Sequence, residues 1–451
     1  MIKDKQDIKV LFYTCTPRAF RTTLIGHLYE VAQNFSVVLL SEKLDEETEK
    51  IIHDKNLFPK LEKIIQVDAV NKSKLALFSK KNRDYYKLAE RIFEQEKPDI
   101  LITSSDMHSL FEIYLNRLGK RYGSVNIAVQ ATLQMASAER IAKWFDLADA
   151  FLRFSFPLPL RVRIFLAKCR RYFGHFLCYW IFPLTIGEKP FFGKSSYILK
   201  TGNSGMRDGD YQFVFSRRDY DIWVRDGVAQ SKIFILPHPL ETKTREFFEK
   251  AYFLKNRKDQ DGQKFITLIL PDTEIGYREK DNSLISKKQR MEEWVDICVA
   301  VSKVFTGYYI LLKPHPNTGL FMKDLEELLS KKNNKNIKIV NSKDPADKYV
   351  EISEVVIGIP VSTSTVLFTA HLQCPEKRII SIDFEEELLG DCYKNFQGID
   401  YVSNMQKFVE LLCQIKENNS KNYSVRLPKI EKENEISTFI KKIQLLKNIN
   451  G

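Results

Sequence analysis

The sequence predicts an α/β protein of two Rossmann-like domains facing across a cleft, and three observations predict it. The chain has 451 residues, more than one hydrophobic core usually serves. Short apolar runs alternate with helical patterns, the signature of βα units around a parallel sheet. The series of runs restarts midway, so two doubly wound halves are expected.

The first set opens with the strand Ile8–Tyr13, followed by the polar turn TCTPRAFRTT, a helix over Leu24–Gln33 and a strand over Ser36–Leu40. Strands at Pro98–Thr103 and Val125–Val129 complete it. The second set starts with Phe213–Ser216 and Lys232–Leu236. It continues through Phe265–Leu270, Tyr308–Leu312, Ile337–Val340, Val355–Ile357 and Arg378–Ile382. The expected division is an N-terminal acceptor-side domain over 1–205, a C-terminal ligand-binding domain over 206–425, and a C-terminal helix within 426–451. That last helix, Glu431–Ile449, is Lys-rich and reads as a solvated surface element.

Composition bounds the partners. Hydrophobic residues make up 44% and charged residues 28%, which is globular rather than disordered. The net charge of +12 favours anionic partners. Twelve Lys/Arg against four Asp/Glu lie between Phe151 and Tyr220. Residues 151–187 break the strand–helix pattern with six Lys/Arg and no acid. The uncharged run Tyr172–Gly187 is too short to span a bilayer and is interrupted by Pro183. It reads as a membrane-proximal insertion, with Tyr179 and Trp180 at headgroup depth and Arg161, Arg163, Arg170 and Arg171 on anionic lipid. A buried helical hairpin is the alternative. Seven widely spaced cysteines without a C-x-x-C pair suggest reduced thiols. No apolar leader opens the sequence, so the expected location is cytoplasmic, with the inner membrane face as a peripheral site.

The sharpest chemical signal is Leu311-Leu312-Lys313-Pro314-His315-Pro316-Asn317, directly after an apolar strand. Carboxyl ends of strands border the ligand crevice in open α/β sheets. Lys313 can meet a diphosphate as a point charge and His315 as a hydrogen-bond donor, with the prolines holding the loop rigid. The alternative is a rigid turn with a capping histidine. A second loop, Gly358-Ile359-Pro360-Val361-Ser362-Thr363-Ser364-Thr365, sits between a strand and the helical run Val366–Leu372. Its hydroxyls are ordinary N-caps, or they and the backbone N–H groups bind an anion at the positive helix end. A third strand end carries Asp272, Glu274 and Arg278: a carboxylate for a ribose or sugar hydroxyl and a guanidinium for a phosphate, or a solvated turn.

This arrangement resembles the glycosyltransferase-B superfamily, in particular bacterial capsule-type and polysialyltransferase-like transferases and CDP-glycerol glycerophosphotransferases. The resemblance rests on the His-Pro pair at His315 and Pro316, on Ser362, Thr363 and Ser364, and on the run VFSRRDYDIWVRDGVAQSKIFILPHP from Val214 to Pro239. It covers residues 205–390, with the N-terminal half similar only in outline. Val361 stands where glycerophosphotransferases carry Asp, which favours a sugar donor. The resemblance implies metal-independent transfer of a sugar, with a CMP-linked acidic sugar as the preferred donor and UDP-linked sugars open. The acceptor would be a glycan, a lipid-linked glycan or a protein. The nucleotide sugar would be a substrate, and no cofactor or metal is expected.

Such a reaction needs a base to deprotonate the acceptor hydroxyl. Asp106, after the strand ending at Thr103, is the first choice; His108 and Glu139 follow. Arg18 in the loop after the first strand suits the acceptor or the donor's charge. His27 reads as a packing residue at a helix start and His238 as a turn residue. The chain has no P-loop, G-x-G-x-x-G, G-x-S-x-G or H-E-x-x-H motif, no zinc-ligand spacing and no nucleic-acid recognition motif. The rival readings are a UDP-sugar 2-epimerase-like enzyme and a non-catalytic, membrane-associated scaffold of polysaccharide assembly.

Overall fold

The computed structural model describes residues 8–14, 20–42, 44–67, 80–104, 110–130, 209–215, 217–225, 228–236, 239, 244–248, 251, 263–271, 276–278, 283–315, 322–332, 336–359, 366–374, 377–384, 393–394, 398–418 and 436–450. The chain divides into two compact units. The first gathers Met1–Thr132, Ser137–Ala251 and Ile430–Gly451, and the second Leu133–Ala136 and Tyr252–Lys429.

Unit 1 is built from β1 (Lys9–Thr14), α1 (Ile25–Asn34), β2 (Ser36–Ser41), α2 (Glu46–Ile52), β3 (Leu61–Gln66), α3 (Lys80–Glu96), β4 (Ile100–Thr103), α4 (Leu110–Arg121) and β5 (Val125–Val129). It continues with β6 (Tyr211–Val214), α5 (Arg217–Arg225), β7 (Ile233–Ile235) and α6 (Arg245–Phe248). Its sheet has the order β3-β2-β1-β4-β5-β6-β7, parallel throughout. A parallel sheet covered on both faces needs apolar residues at every strand position, and β1, β2, β4 and β5 are buried almost end to end. Leu11, Tyr13, Val38, Leu40 and Leu101 pack under Tyr85, Phe93, Phe111 and Leu115 of α3 and α4. A π-helical turn, Phe20–Leu24, leads into α1.

Unit 2 comprises β8 (Lys264–Ile269), the antiparallel hairpin β9 (Gly276–Arg278) and β10 (Ser283–Ile285), α7 (Lys287–Val304), β11 (Tyr308–Lys313), α8 (Met322–Ser330) and β12 (Ile337–Ile339). It is completed by α9 (Asp347–Ile352), β13 (Ser353–Gly358), α10 (Val366–Gln373), β14 (Arg378–Ile382), β15 (Asp400–Val402) and α11 (Met405–Asn418). The sheet order is β12-β11-β8-β13-β14-β15, all parallel. Numbered from β8, this is the 3-2-1-4-5-6 order of a dinucleotide-binding fold. Ile266, Leu268, Ile310, Leu312, Ile357 and Ile380 pack against Trp294, Cys298, Leu325, Phe408 and Leu412 of α7, α8 and α11. Ser286 and Gln289 start α7 with a reciprocal capping box, which satisfies two otherwise orphaned N–H groups.

Two expectations are corrected. Strands β6 and β7, expected to open the second set, extend the first sheet instead, β6 pairing with β5 and β7 with β6. The compact units therefore divide after residue 251 rather than at 205. An apolar run declares a buried strand but not its partner, and the long stretch between β5 and β6 looks like a boundary in sequence. The C-terminal helix α12 (Ile436–Asn450) is not a solvated accessory. It belongs to unit 1, where Ile436 and Ile440 are fully buried and Phe439 stands among the rings of Tyr211, Phe213 and Phe234. Ser437 donates through both N and Oγ to Glu30 Oε1 on α1.

Candidate functional site

Unit 2 has its topological switch point between β8 and β13, where the strand order reverses. Lys313 on β11 and Gly358 on β13 both register with Ile269 on β8, and Gly358 registers in turn with Ser381 on β14. Four strands thus end at one level. Adjacent strands lie about 4.8 Å apart, so Lys313 and Gly358 are separated by about 10 Å across the sheet. The His315 loop and the loop entered by Gly358 leave the same carboxyl edge, on either side of β8. Residues in register in parallel strands share a face, so Lys313, Gly358 and Ser381 lie opposite the face that packs Leu312, Ile357 and Ile380 on α7, α8 and α11.

Lys313 is only 3% exposed. Its ammonium donates to the Pro314 carbonyl at 2.7 Å and to the Ser342 carbonyl at 2.9 Å. The ammonium expected as a point charge for a diphosphate thus also bonds the backbone, bracing the β11 loop against the segment after β12. The side chain is long and β11 is buried to its end, so the charge is satisfied within the protein. His315, two residues further on, is half-buried. Gly358 lets α10 approach: a Cβ there would lie 2.7 Å from Leu367 Cδ2 and 2.9 Å from its Cγ.

Asp383, immediately after β14, is a buried carboxylate at the same sheet edge that the sequence reading did not single out. It is 4% exposed and accepts the Tyr401 hydroxyl at 2.8 Å. An acid closing the apolar run Arg378–Ile382 was the available signal. Arg278 ends β9 in the separate hairpin, not in the six-stranded sheet, and its side chain lies outside the described residues. So do Arg18, Asp106, His108, Glu139, His238, Asp272, Glu274, Pro316, Ser362, Thr363, Ser364 and the basic aromatic stretch 151–187.

In unit 1 the order reverses between β1 and β4. Thr14 and Thr103 close these strands, and both hydroxyls are buried without a hydrogen-bond partner among the described residues. Ser104 Oγ donates to Glu112 Oε1 at 2.8 Å. Glu112 lies in the first turn of α4 and is fully buried. Nothing in the helical run LFEIYLNR marked that glutamate for the interior. His27 on α1 is buried, and desolvation pushes its imidazole down to about 3, in keeping with a packing role.

Among the described residues no three His, Cys, Asp or Glu side chains gather as a metal site, and no helix is long and apolar enough to cross a membrane. Of the cysteines described, Cys298 is buried, and burial pushes its thiol up to about 12.

No protein-family model matches the chain, and no curated protein matches it. Solved structures do. The UDP-N-acetylglucosamine 2-epimerase of Rickettsia bellii aligns with a TM-score of 0.54 at 14% identity, over 98% of this chain and 97% of that one. The Neisseria meningitidis UDP-GlcNAc 2-epimerase bound to UDP-GlcNAc aligns at 0.51 and 12%, over 98% and 99%. The glycotransferase of kitacinnamycin aligns at 0.51 and 11%, over 92% and 94%. These likenesses define the class of fold: α/β with two Rossmann-like units, the glycosyltransferase-B type.

Proposed function

We propose that the protein is a metal-independent glycosyltransferase that binds a nucleotide sugar on unit 2 and passes the sugar to a hydroxyl of a glycan, lipid-linked glycan or protein. The observation that carries this reading is the common level of β11, β8 and β13, which sends the His315 loop and the Ser/Thr-rich loop from one edge at the switch point. In the proposal His315 donates to the leaving diphosphate. Ser362, Thr363 and Ser364 offer hydroxyls and N–H groups at the start of α10, a natural seat for an anion. Lys313 supports the loop rather than touching the ligand, and Asp383, just after β14, offers a carboxylate at that edge. Neutralising the leaving phosphate with fixed donors is how such a site works without a metal.

The motif resemblance favours a CMP-linked acidic sugar as donor, while the fold is shared with a protein that binds UDP-GlcNAc. A thermal-shift screen against CMP, UDP, CDP and their sugars tests the reading, because a ligand stabilises the state it binds. Stabilisation by at least one of them is expected, and silence with all would favour the scaffold. His315→Ala should weaken binding by about 1.5–3 kcal/mol; an unchanged shift would remove His315 from the site.

A second reading, a UDP-sugar 2-epimerase, draws on alignment with such epimerases over nearly the whole chain. Product analysis with donor alone separates the two: epimerised nucleotide sugar would end the transferase proposal. For residues 151–187 the proposed partner is an anionic inner-membrane surface. Equal sedimentation with neutral and anionic vesicles would remove the electrostatic part of that idea.

A further inference from the structure

We infer that Asp344 and Tyr349 are positioning residues of the nucleotide site on unit 2. Through Ser342 and Lys313 they hold the start of the His315 loop in the shape that meets a phosphate. The inference rests on the donor site proposed above and lies wholly within unit 2.

The path of contacts starts in the buried centre of the sheet. Ser353, the first residue of β13, donates from Oγ to the Tyr349 carbonyl at 2.9 Å and stands 2.7 Å from Thr267 Oγ1 on β8. All three residues are buried, so the backbone of α9 is pinned to two central strands. The Tyr349 hydroxyl donates to Asp344 Oδ2 at 2.5 Å. Burial and the adjacent carboxylate push this phenol up to about 12, and the phenol's bond holds the Asp344 carboxyl below its ordinary range. At neutral pH Tyr349 therefore stays a donor and Asp344 stays charged. Lys348 donates to the same oxygen at 3.4 Å.

Asp344 lies in the loop that follows β12. Its N–H donates to the Asn341 carbonyl at 3.3 Å, and the Lys343 N–H to Asn341 Oδ1 at 3.0 Å. These bonds close a turn around Ser342, whose carbonyl accepts from Lys313 Nζ at 2.9 Å. The same ammonium donates to the Pro314 carbonyl, one residue before His315, and its charge helps to keep Asp344 ionised. The backbone runs alongside: Val340 N–H donates to the Leu312 carbonyl and Leu270 N–H to the Lys313 carbonyl. Tyr349, Asp344, Ser342, Lys313 and Pro314 thus connect the sheet centre to the His315 loop. Such a path supplies pre-organisation, because a loop already fixed loses less freedom when it takes a ligand. His315 touches the phosphate in this arrangement; Asp344 and Tyr349 act only through the loop that carries it.

The test is calorimetric titration of the full chain with CMP and with UDP. It compares wild type, Tyr349→Phe, Asp344→Asn, His315→Ala and the double variants that combine His315→Ala with each of the other two. Tyr349→Phe and Asp344→Asn should each weaken nucleotide binding about tenfold, a size usual for coupling within one hydrogen-bond network. In the His315→Ala background the same substitutions should cost less than about twofold, because the histidine through which they act is gone. Asp344 is partly exposed and Asp344→Asn preserves its shape, which guards against a folding defect in Tyr349→Phe. Affinity within about twofold of wild type in either single variant overturns the inference. So does an equal loss with and without His315, which would assign the two residues to general stability. A wild-type chain that binds neither nucleotide, or His315→Ala binding as wild type does, removes the donor site itself, and the inference falls with it.

Discussion

At the residue scale, Lys313 and His315 belong to one motif in the sequence but differ in setting, Lys313 buried and His315 half-buried. The Lys313 ammonium is spent on two backbone carbonyls. Hydrogen bonds to a charged group contribute about 1.5–3 kcal/mol each, and a carbonyl left unpaired adds a penalty. Lys313→Met should therefore lower stability by about 2–4 kcal/mol in urea titration. His315→Ala, at a half-buried loop position, should cost within about 1 kcal/mol. If Lys313→Met is as stable as wild type yet binds no nucleotide, the lysine touches the ligand after all. His27 gives a second residue-level test. Its imidazole ionises at about 3 in the fold against an ordinary value of 6.5, so the unfolded chain binds the extra proton between those values. Stability should fall as pH drops from 6.5 towards 3, by up to about 1.4 kcal/mol per pH unit from this group. His27→Leu should flatten that slope, as measured by urea midpoints across the acid range; an unchanged slope would mean the imidazole is solvated.

At the element scale, most strands were legible because parallel strands buried on both faces must be apolar throughout. Val125–Val129 and Arg378–Ile382 fall at the expected bounds. Strand β3, LEKIIQ, escaped notice: it is an edge strand whose Glu62, Lys63 and Gln66 face solvent, so its run is broken by polar residues. The same logic limits the candidate site. That the His315 and Ser/Thr loops leave one edge follows from parallel strands sharing a carboxyl side. That Lys313 turns onto Ser342 depends on β12 lying beside β11, which no local spacing encodes. Gly358 joins the two levels, since it is both the last residue of β13 and the seat of Leu367. Gly358→Ala would push Leu367 and the start of α10 outward, at a cost of about 1–3 kcal/mol for an overpacked contact. Nucleotide affinity should fall with it, read by thermal shift on the same variant. A neutral substitution would mean that the helix start is not held against the strand.

At the scale of the whole molecule, the chain does not end in the unit it has just built. After completing the second sheet it returns to unit 1 as α12. There Phe439 closes an aromatic cage over β6 and β7, with ring centroids 5.1, 4.8 and 4.6 Å from Tyr211, Phe213 and Phe234. These contacts tie β6 and β7 to the C-terminal helix within unit 1, beside the cluster of Val214, Trp223, Val228 and Ile233. A fully buried aliphatic or aromatic side chain contributes about 1.5–3 kcal/mol, an upper estimate because the unfolded chain is not fully extended. Removing residues 431–451 strips Ile436, Phe439, Ile440 and the Ser437–Glu30 bonds together. The loss is several kcal/mol against the roughly 5–15 kcal/mol that holds a domain folded. Calorimetry should then show the unit 1 transition lowered or lost and the unit 2 transition unmoved, since among the described residues none of α12 belongs to the second core. Equal lowering of both would mean that the units unfold as one cooperative body, and no change in either would reduce α12 to a surface attachment.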